Sequence, residues 1–325
     1  MSQKVILSGV KPSGRPHIGN YFGAMKQFVD LQNGDNKLYI FIADYHALNT
    51  VQSKEELQEN IRNVALDYLA IGLDPEKVVL FKQSDIQEHT ELGWIFNTIT
   101  TMPYLMRAHA FKDAEAKNKD ITVGTFDYPM LMAADILLYS PDLVPVGKDQ
   151  KQHIEIARDT AEKFNRVYGE TFKLPEPYIL ADTATFPGLD GQKMSKSYNN
   201  TIPLFGTDEE ITKACMSVVT SSNAAGTPNK SDDTLFTLLS AFLNKDELQV
   251  KREKYESGDM GYKETKELLA EKIITYISPM RARREELAEN PERIVEILKK
   301  GAAKAKVIAS EKMKEVREKI GVTLE

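Results

Sequence analysis

The sequence predicts an α/β chain: a parallel sheet covered by helices over residues 1–203, followed by an all-helical part over residues 204–325. Two observations carry that reading. Short β-branched runs alternate with amphipathic segments long enough to serve as crossover helices, the pattern of βαβ units. Near residue 200 the strand-like runs stop, and helical periodicity alone continues.

Taken in order, Val5–Ser8, Leu38–Ala43, Val78–Lys82 and Leu143–Val146 read as strands. Between the second and third, Ser53-Lys-Glu-Glu56 is a capping box that opens a helix. Leu57, Ile61, Val64, Tyr68 and Ile71 step along one face of it, and Gly72 supplies a stop. Tyr128–Tyr139 reads as a helix with Tyr128, Met132 and Asp135 on one face. After Gln150, another carries Ile154, Ala157, Ala161, Phe164 and Tyr168. Tyr198–Gly206 is loop-like, and Thr207-Asp-Glu-Glu210 is a second capping box that opens the helical part. A break covers Asn223–Asp233. The last helix takes Asn290 as its cap and Pro291 in its first turn, and runs on past Gly301. Ala305, Ala309, Met313, Val316 and Ile320 line one side of it.

Composition narrows the class. At 325 residues the chain suits about two domains, and 42% hydrophobic with 28% charged residues is enough for a core and argues against disorder. One cysteine, Cys215, closes no internal disulfide and supports no four-cysteine zinc or iron–sulfur centre. No His/Cys/Asp/Glu grouping has metal-ligand spacing, so no structural metal is expected. The first apolar run is too short for a signal peptide, and no stretch approaches the roughly 18 apolar residues of a membrane span, so a cytoplasmic protein is expected. A net charge of -6 argues against a general nucleic-acid binder. Residues 291–325 are locally basic, with nine Lys/Arg against six acids, which reads as a solvated helix face.

Two clusters carry the chemistry. Pro12-Ser-Gly-Arg-Pro-His17-Ile-Gly-Asn20 follows the first strand and matches neither a Walker loop nor G-x-G-x-x-G. Its small residues still allow a phosphate to approach the backbone where a helix begins. The second is Gln192-Lys193-Met194-Ser195-Lys196-Ser197, whose two lysines, three apart on a glycine-flanked loop, form a clamp for a polyphosphate. Asp135 lies in apolar sequence. A buried carboxylate without a donor costs several kcal/mol, so Asp135 has a donor or is protonated: it meets a helix cap or backbone N–H, or accepts the N–H of an indole while Met132 packs on the ring. Asp149 and Gln150 offer oxygens to ribose hydroxyls and an ammonium; their plainer role is helix capping.

His-Ile-Gly-Asn and Lys-Met-Ser-Lys-Ser, about 175 residues apart, resemble the two signature motifs of class I aminoacyl-tRNA synthetases. Together with Ala43-Asp-Tyr-His46, Met132-Ala-Ala-Asp-Ile-Leu-Leu-Tyr139 and Asp149-Gln-Lys-Gln-His-Ile-Glu155, nearly the whole chain resembles the bacterial-type tryptophanyl-tRNA synthetases. The resemblance implies a homodimer with a Rossmann-like catalytic domain and a helical anticodon-binding domain, acting on L-tryptophan, ATP with Mg²⁺ and tRNA(Trp). Carried over by position, Lys11, Pro12, Ser13, Gly19, Asn20, Gly147, Lys148, Asp149, Lys193, Met194, Ser195, Lys196 and Ser197 would contact ATP. His17, Asn20, Lys193 and Lys196 would act on the phosphates. Asp135, Met132, Leu7, Val144 and Val146 would hold the indole, and Tyr128, Gln150 and His46 the amino-acid end.

Some positions depart from the family pattern. Lys11 stands where a glutamine is common and Lys148 where an acid is common. His17 restores the histidine of the general class I motif. Phe186–Gln192 resembles a variant subgroup, some members of which carry an iron–sulfur cluster that a lone Cys215 excludes. Tyrosyl-tRNA synthetases are the nearest rival, but a glutamine usually stands there at the position of Met132. A non-catalytic paralogue has no use for the two lysines, and a stand-alone nucleotidyltransferase leaves the helical C-terminal part unexplained. His46 and His153 fall in matched segments, whereas His89 and His109 read as ordinary surface or helix residues.

Overall fold

In the computed structural model, which describes residues 3–116, 121–147, 150–179, 186–221 and 226–324, five strands form one parallel sheet. They are β1 (Lys4–Val10), β2 (Asn36–Ile42), β3 (Val78–Lys82), β4 (Leu143–Pro145) and β5 (Glu176–Tyr178), in the spatial order β3-β2-β1-β4-β5. The winding reverses between β1 and β4, the switch point beyond whose carboxyl ends ligands bind in such sheets. This is the expected Rossmann-like architecture. β5 was not expected: it is three residues long and contains Pro177, which sits at a sheet edge where its missing N–H costs little.

The chain divides into two compact units. One comprises Met1–Gly14, Phe28–Ala181 and Leu287–Glu325, and the other Arg15–Gln27 and Asp182–Glu286. In the first, helices Lys54–Ala70, Glu88–Ile99, Val123–Leu137 and Lys151–Tyr168 flank the sheet. Ser53 caps the first of these, its Oγ accepting the N–H of Glu56 at 3.3 Å. Burial follows the expected faces: Val64 and Tyr68 on that helix, and Ile154, Ala157, Ala161 and Phe164 on Lys151–Tyr168.

The helix Pro291–Ile320 lies against β3 through Ala302, Ala305, Ala309, Met313 and Val316, all buried. Its charges anchor as well as solvate, which corrects the plain solvated face expected of them. Lys306 Nζ and Ser310 Oγ both donate to Glu88, at 2.7 and 2.8 Å, and Arg317 grips Glu91 with two bonds. Gly301 makes the approach to the strand possible, since a Cβ there would stand 1.8 Å from the Leu80 carbonyl oxygen.

The second unit holds Asp208–Met216, Thr234–Ser240, Lys245–Ser257 and most of Tyr262–Ala288. The capping box at Thr207 forms with Glu210, at 3.1 and 2.8 Å. Residues 15–27 join these helices through the Leu204 N–H to Pro16 and the Ile18 N–H to Ile202, at 3.0 and 2.9 Å. Among the described residues no helix is long and apolar enough to cross a membrane.

Gly301→Ala should be among the most damaging single-methyl additions in the chain. Backbone cannot yield as a flexible side chain can, so a loss of at least about 2 kcal/mol is expected in denaturant unfolding.

Candidate active site

In the first unit the site is built around Asp135. Its helix, Val123–Leu137, opens with Thr122 Oγ1 accepting the Thr125 N–H at 3.2 Å, and carries Asp135 to a position only 1% exposed. No helix cap satisfies this carboxylate. Three side chains do: Oδ1 accepts from Gln83 Nε2 at 2.7 Å and pairs with His89 Nδ1 at 2.6 Å, and Oδ2 pairs with His46 Nε2 at 2.7 Å. Burial alone would raise the acid's pKa; the hydrogen bonds and charge of His46 and His89 outweigh it and hold the pKa at about 2. Asp135 is therefore an anion and a pure acceptor at neutral pH.

The orientation of Gln83 follows from its other bond. The Tyr45 N–H donates to Oε1 at 3.1 Å, so the amide nitrogen must face Asp135. Asp44, 5% exposed, ties the same short helix, Asp44–Ala47, to the turn after β3 by accepting the Ser84 N–H and hydroxyl at 3.0 and 2.5 Å. His46 rides on that helix. Its ring stands perpendicular to Tyr128, with centroids 6.1 Å apart, and the Tyr128 hydroxyl meets His153 Nε2 at 3.2 Å.

The remaining expected residues fall around the switch point. Leu7 and Val144 each follow one residue after the paired Ile6 and Leu143, so they project from the same face of adjacent strands; both are buried. Met132 and Val146 are partly buried against the same core. Lys11, Pro12 and Ser13 continue from the carboxyl end of β1, and Gly147 and Gln150 from that of β4, with the Gln150 N–H donating to Gly147 at 2.9 Å. Lys148 and Asp149 lie outside the described residues.

The second unit brings the two motifs together. His17 caps the short helix Ile18–Asn20: its Nδ1 accepts the Asn20 N–H at 3.2 Å, while Asn20 Oδ1 accepts the His17 N–H at 3.1 Å. That bond assigns the tautomer and leaves Nε2 carrying the hydrogen. Burial, helped by the Lys196 charge, lowers the His17 pKa to about 4, so a neutral donor is present at pH 7. Gly19 is the contact point. Its N–H donates to Met194 Sδ at 3.4 Å, and a Cβ there would meet the His17 ring at 3.0 Å and Met194 at 3.2 Å. Met194 is buried whereas Lys193 and Lys196 are exposed, so one apolar anchor seats a loop whose lysines face outward. Asn200, 3% exposed, shapes that loop by accepting the Ser195 N–H at 2.8 Å and donating to Asp190 at 2.7 Å and to the Lys193 carbonyl at 3.2 Å. Ser195 in turn caps Lys196–Tyr198, accepting the Ser197 N–H at 3.3 Å.

Known proteins bear on this arrangement. A family model described as class I tRNA synthetases (W and Y) matches residues 2–295. The chain belongs to that family. Among its class I synthetase relatives, a protein of Fusobacterium nucleatum named tryptophan–tRNA ligase is 50% identical over 317 residues, 97% of each chain. One of the same name from Rhodopirellula baltica is 49% identical, covering 98% of this chain and 99% of the relative. The crystal structure of Campylobacter jejuni tryptophanyl-tRNA synthetase, complexed with ADP and tryptophan, superposes with a TM-score of 0.93 at 45% identity, over 98% and 99% of the two chains.

Three residues of the site escaped the sequence reading. His89 is no surface residue; it is fully buried and bonded to Asp135. Gln83 directly follows β3, and a polar residue at the carboxyl end of a parallel strand is the signal that could have found it. Asn200 had no such signal within a loop-like segment.

The low His17 pKa has a measurable sign. Its neutral form contributes stability that is complete above the ordinary value near 6.5 and is lost as pH falls toward 4, where the unfolded chain alone takes the proton. NMR should find His17 titrating near pH 4 as the Nε2–H tautomer, and His17→Gln should flatten the dependence of stability on pH between 6.5 and 4.

Proposed function

We propose that the chain is a tryptophan–tRNA ligase. It joins L-tryptophan to ATP, releasing pyrophosphate, and passes the tryptophanyl group from the adenylate to the terminal adenosine of tRNA(Trp). The buried, ionised Asp135 carries this reading. Each carboxylate oxygen accepts about two hydrogen bonds, and among the described residues Oδ2 meets one partner, His46, against two at Oδ1. One more N–H, that of an indole, fits this account. Met132, one turn earlier on the helix, gives a ring an apolar, polarisable neighbour. A site of this kind rejects analogues lacking the donor by roughly 10⁴–10⁵, whereas size alone discriminates far less.

The tryptophan carboxylate is already a nucleophile, so the first step needs no general base; placement and electrostatics supply the catalysis. The carboxylate oxygen bonds to the α-phosphorus as the bond to the bridging oxygen breaks, and pyrophosphate leaves with the electron pair. Lys193 and Lys196 neutralise the charge gathering on it, and His17 Nε2–H and Asn20 donate to phosphate oxygens. ATP would arrive as its Mg²⁺ complex, the ion supplying further charge neutralisation to the phosphates. Lys11, Pro12, Ser13, Gly147 and Gly19 line the nucleotide, and Tyr128, Gln150 and His46 hold the amino-acid end. Residues 204–325 form the tRNA-binding part, with its last helix returned to the sheet. The protein works in the cytoplasm.

The reading includes a homodimer. Trp94 is 70% exposed on Glu88–Ile99 and Met102 is 66% exposed just beyond it. Leu48 and Val123, also exposed, adjoin the Asn49 Nδ2 bond to the Gly124 carbonyl at 3.5 Å. Trp94 and Met102 are the exposed apolar side chains a partner subunit would cover.

Asp135→Ala should cut tryptophan-dependent ATP–pyrophosphate exchange at least about 100-fold while the KM for ATP stays within about threefold; undiminished exchange would remove the specificity argument. Lys196→Ala should depress adenylate formation far more than tryptophan binding, and equal losses in both would contradict its role. Trp94→Glu should shift the protein toward monomer in light scattering, and an unchanged mass would count against this surface.

A further inference from the structure

We propose that Gln83 and His89 are specificity-determining positioning residues, which hold Asp135 as the acceptor for the indole N–H without touching the substrate. This inference rests on the tryptophan reading above.

Both residues are fully buried and both engage Oδ1, at 2.7 and 2.6 Å, which pins that oxygen and leaves Oδ2 as the one that meets the ligand. Each is itself held from behind. Gln83 cannot flip its amide, because the Tyr45 N–H occupies Oε1. His89 Nε2 pairs with the Tyr139 hydroxyl at 2.8 Å, so the ring cannot turn without losing two bonds. Tyr139, 2% exposed, stacks on Tyr39 with centroids 5.5 Å apart. At Nδ1, Asp135 can only accept, so His89 donates there.

Stability does not account for this chain of groups. A Tyr–His–Asp–Gln network in a core pays desolvation for every member, and well-packed apolar residues of the same volume are often as stable or more so. What apolar residues cannot do is fix the direction of a carboxylate lone pair to within the tolerance a buried N–H requires. The elements carrying the two residues are also braced from outside the pocket. Gly301 lies flush against β3 just before Gln83, and Lys306 and Ser310 hold Glu88, the neighbour of His89.

The test compares L-tryptophan with its benzothiophene analogue, in which sulfur replaces the indole N–H and the shape is kept. The readout is the ratio of the two kcat/KM values in amino-acid-dependent ATP–pyrophosphate exchange by the full-length protein. His89→Leu and Gln83→Leu are each expected to lower that ratio at least about tenfold, through KM for tryptophan, with KM for ATP unchanged. His89→Asn, whose amide can replace the Nδ1–H donor, should restore most of it. Tyr139→Phe keeps the ring and removes only the far hydroxyl, so a smaller fall in the same direction is expected even where His89→Leu fails to fold. An unchanged ratio in Gln83→Leu and Tyr139→Phe overturns the proposal, as do equal losses for both substrates, which a merely structural role produces. Asp135→Asn separates the two levels. A lowered ratio there with intact ratios in the Gln83 and Tyr139 variants sinks the positioning role alone, whereas an intact ratio in Asp135→Asn sinks the indole assignment and the positioning role with it.

Discussion

A carboxylate can stay ionised inside a protein only when donors surround it, and Asp135 is ringed by three from three separate pieces of chain. His46 comes from the short helix after β2, Gln83 from the turn after β3, and His89 from the helix that follows. Each of those pieces begins at or just past the carboxyl end of a parallel strand, where backbone direction turns and side chains are free to converge. The acid therefore demands a sheet that delivers these loops to one end. Cross-links between them, such as Asp44 to Ser84 and Tyr45 to Gln83, make the ring a single rigid assembly.

The C-terminal helix belongs to the same constraint. Its basic composition reads as a solvated helix face, yet its apolar stripe and two of its cations are engaged by β3 and by the first turns of Glu88–Ile99. Contact so close that only glycine fits at residue 301 leaves little room for the strand to shift. Rigidity there is coupled to the Asp135 ring, because Leu80 and Gln83 share one short segment. The two signature motifs obey a different rule. Gly19 and Met194 meet through a soft sulfur contact, and the lysines beside Met194 remain in solvent. A thioether resting on a glycine permits rearrangement that a network of charged hydrogen bonds would resist.

Much of this was legible in the sequence because it depends on local rules. Capping signals, strand runs and the four-and-three steps of apolar residues located four of the five strands, three of the four helices that flank the sheet, and the last helix, while Glu88–Ile99 went unread. β5 was hidden because three residues with a proline carry no periodicity, and its strand character comes from Pro145 and its neighbours pairing alongside. In the site, Asp135 stood out as a charge in apolar sequence, and its burial follows from that. Of its three partners only His46 stood out; Gln83 and His89 did not. His89 sits 46 residues away on a helix whose first turn looks ordinary, and nothing local distinguishes a histidine facing solvent from one facing a carboxylate.

That asymmetry has a physical origin. A buried charge violates a composition rule and so announces itself, whereas the residues that compensate it obey theirs: a glutamine after a strand and a histidine in a first helical turn are both unremarkable until the fold closes. Compensation is a long-range property, fixed by which segments the sheet order brings together. The order β3-β2-β1-β4-β5 places the turn after β3 two strands from the switch point, so Gln83 and His89 reach Asp135 from the side opposite to β4. Donors converge from that flank, while Leu7, Val144 and Val146 pack in the apolar core on the flank of β1 and β4. The polar ring around Asp135 and the apolar residues beside it thus trace to opposite sides of one topological reversal.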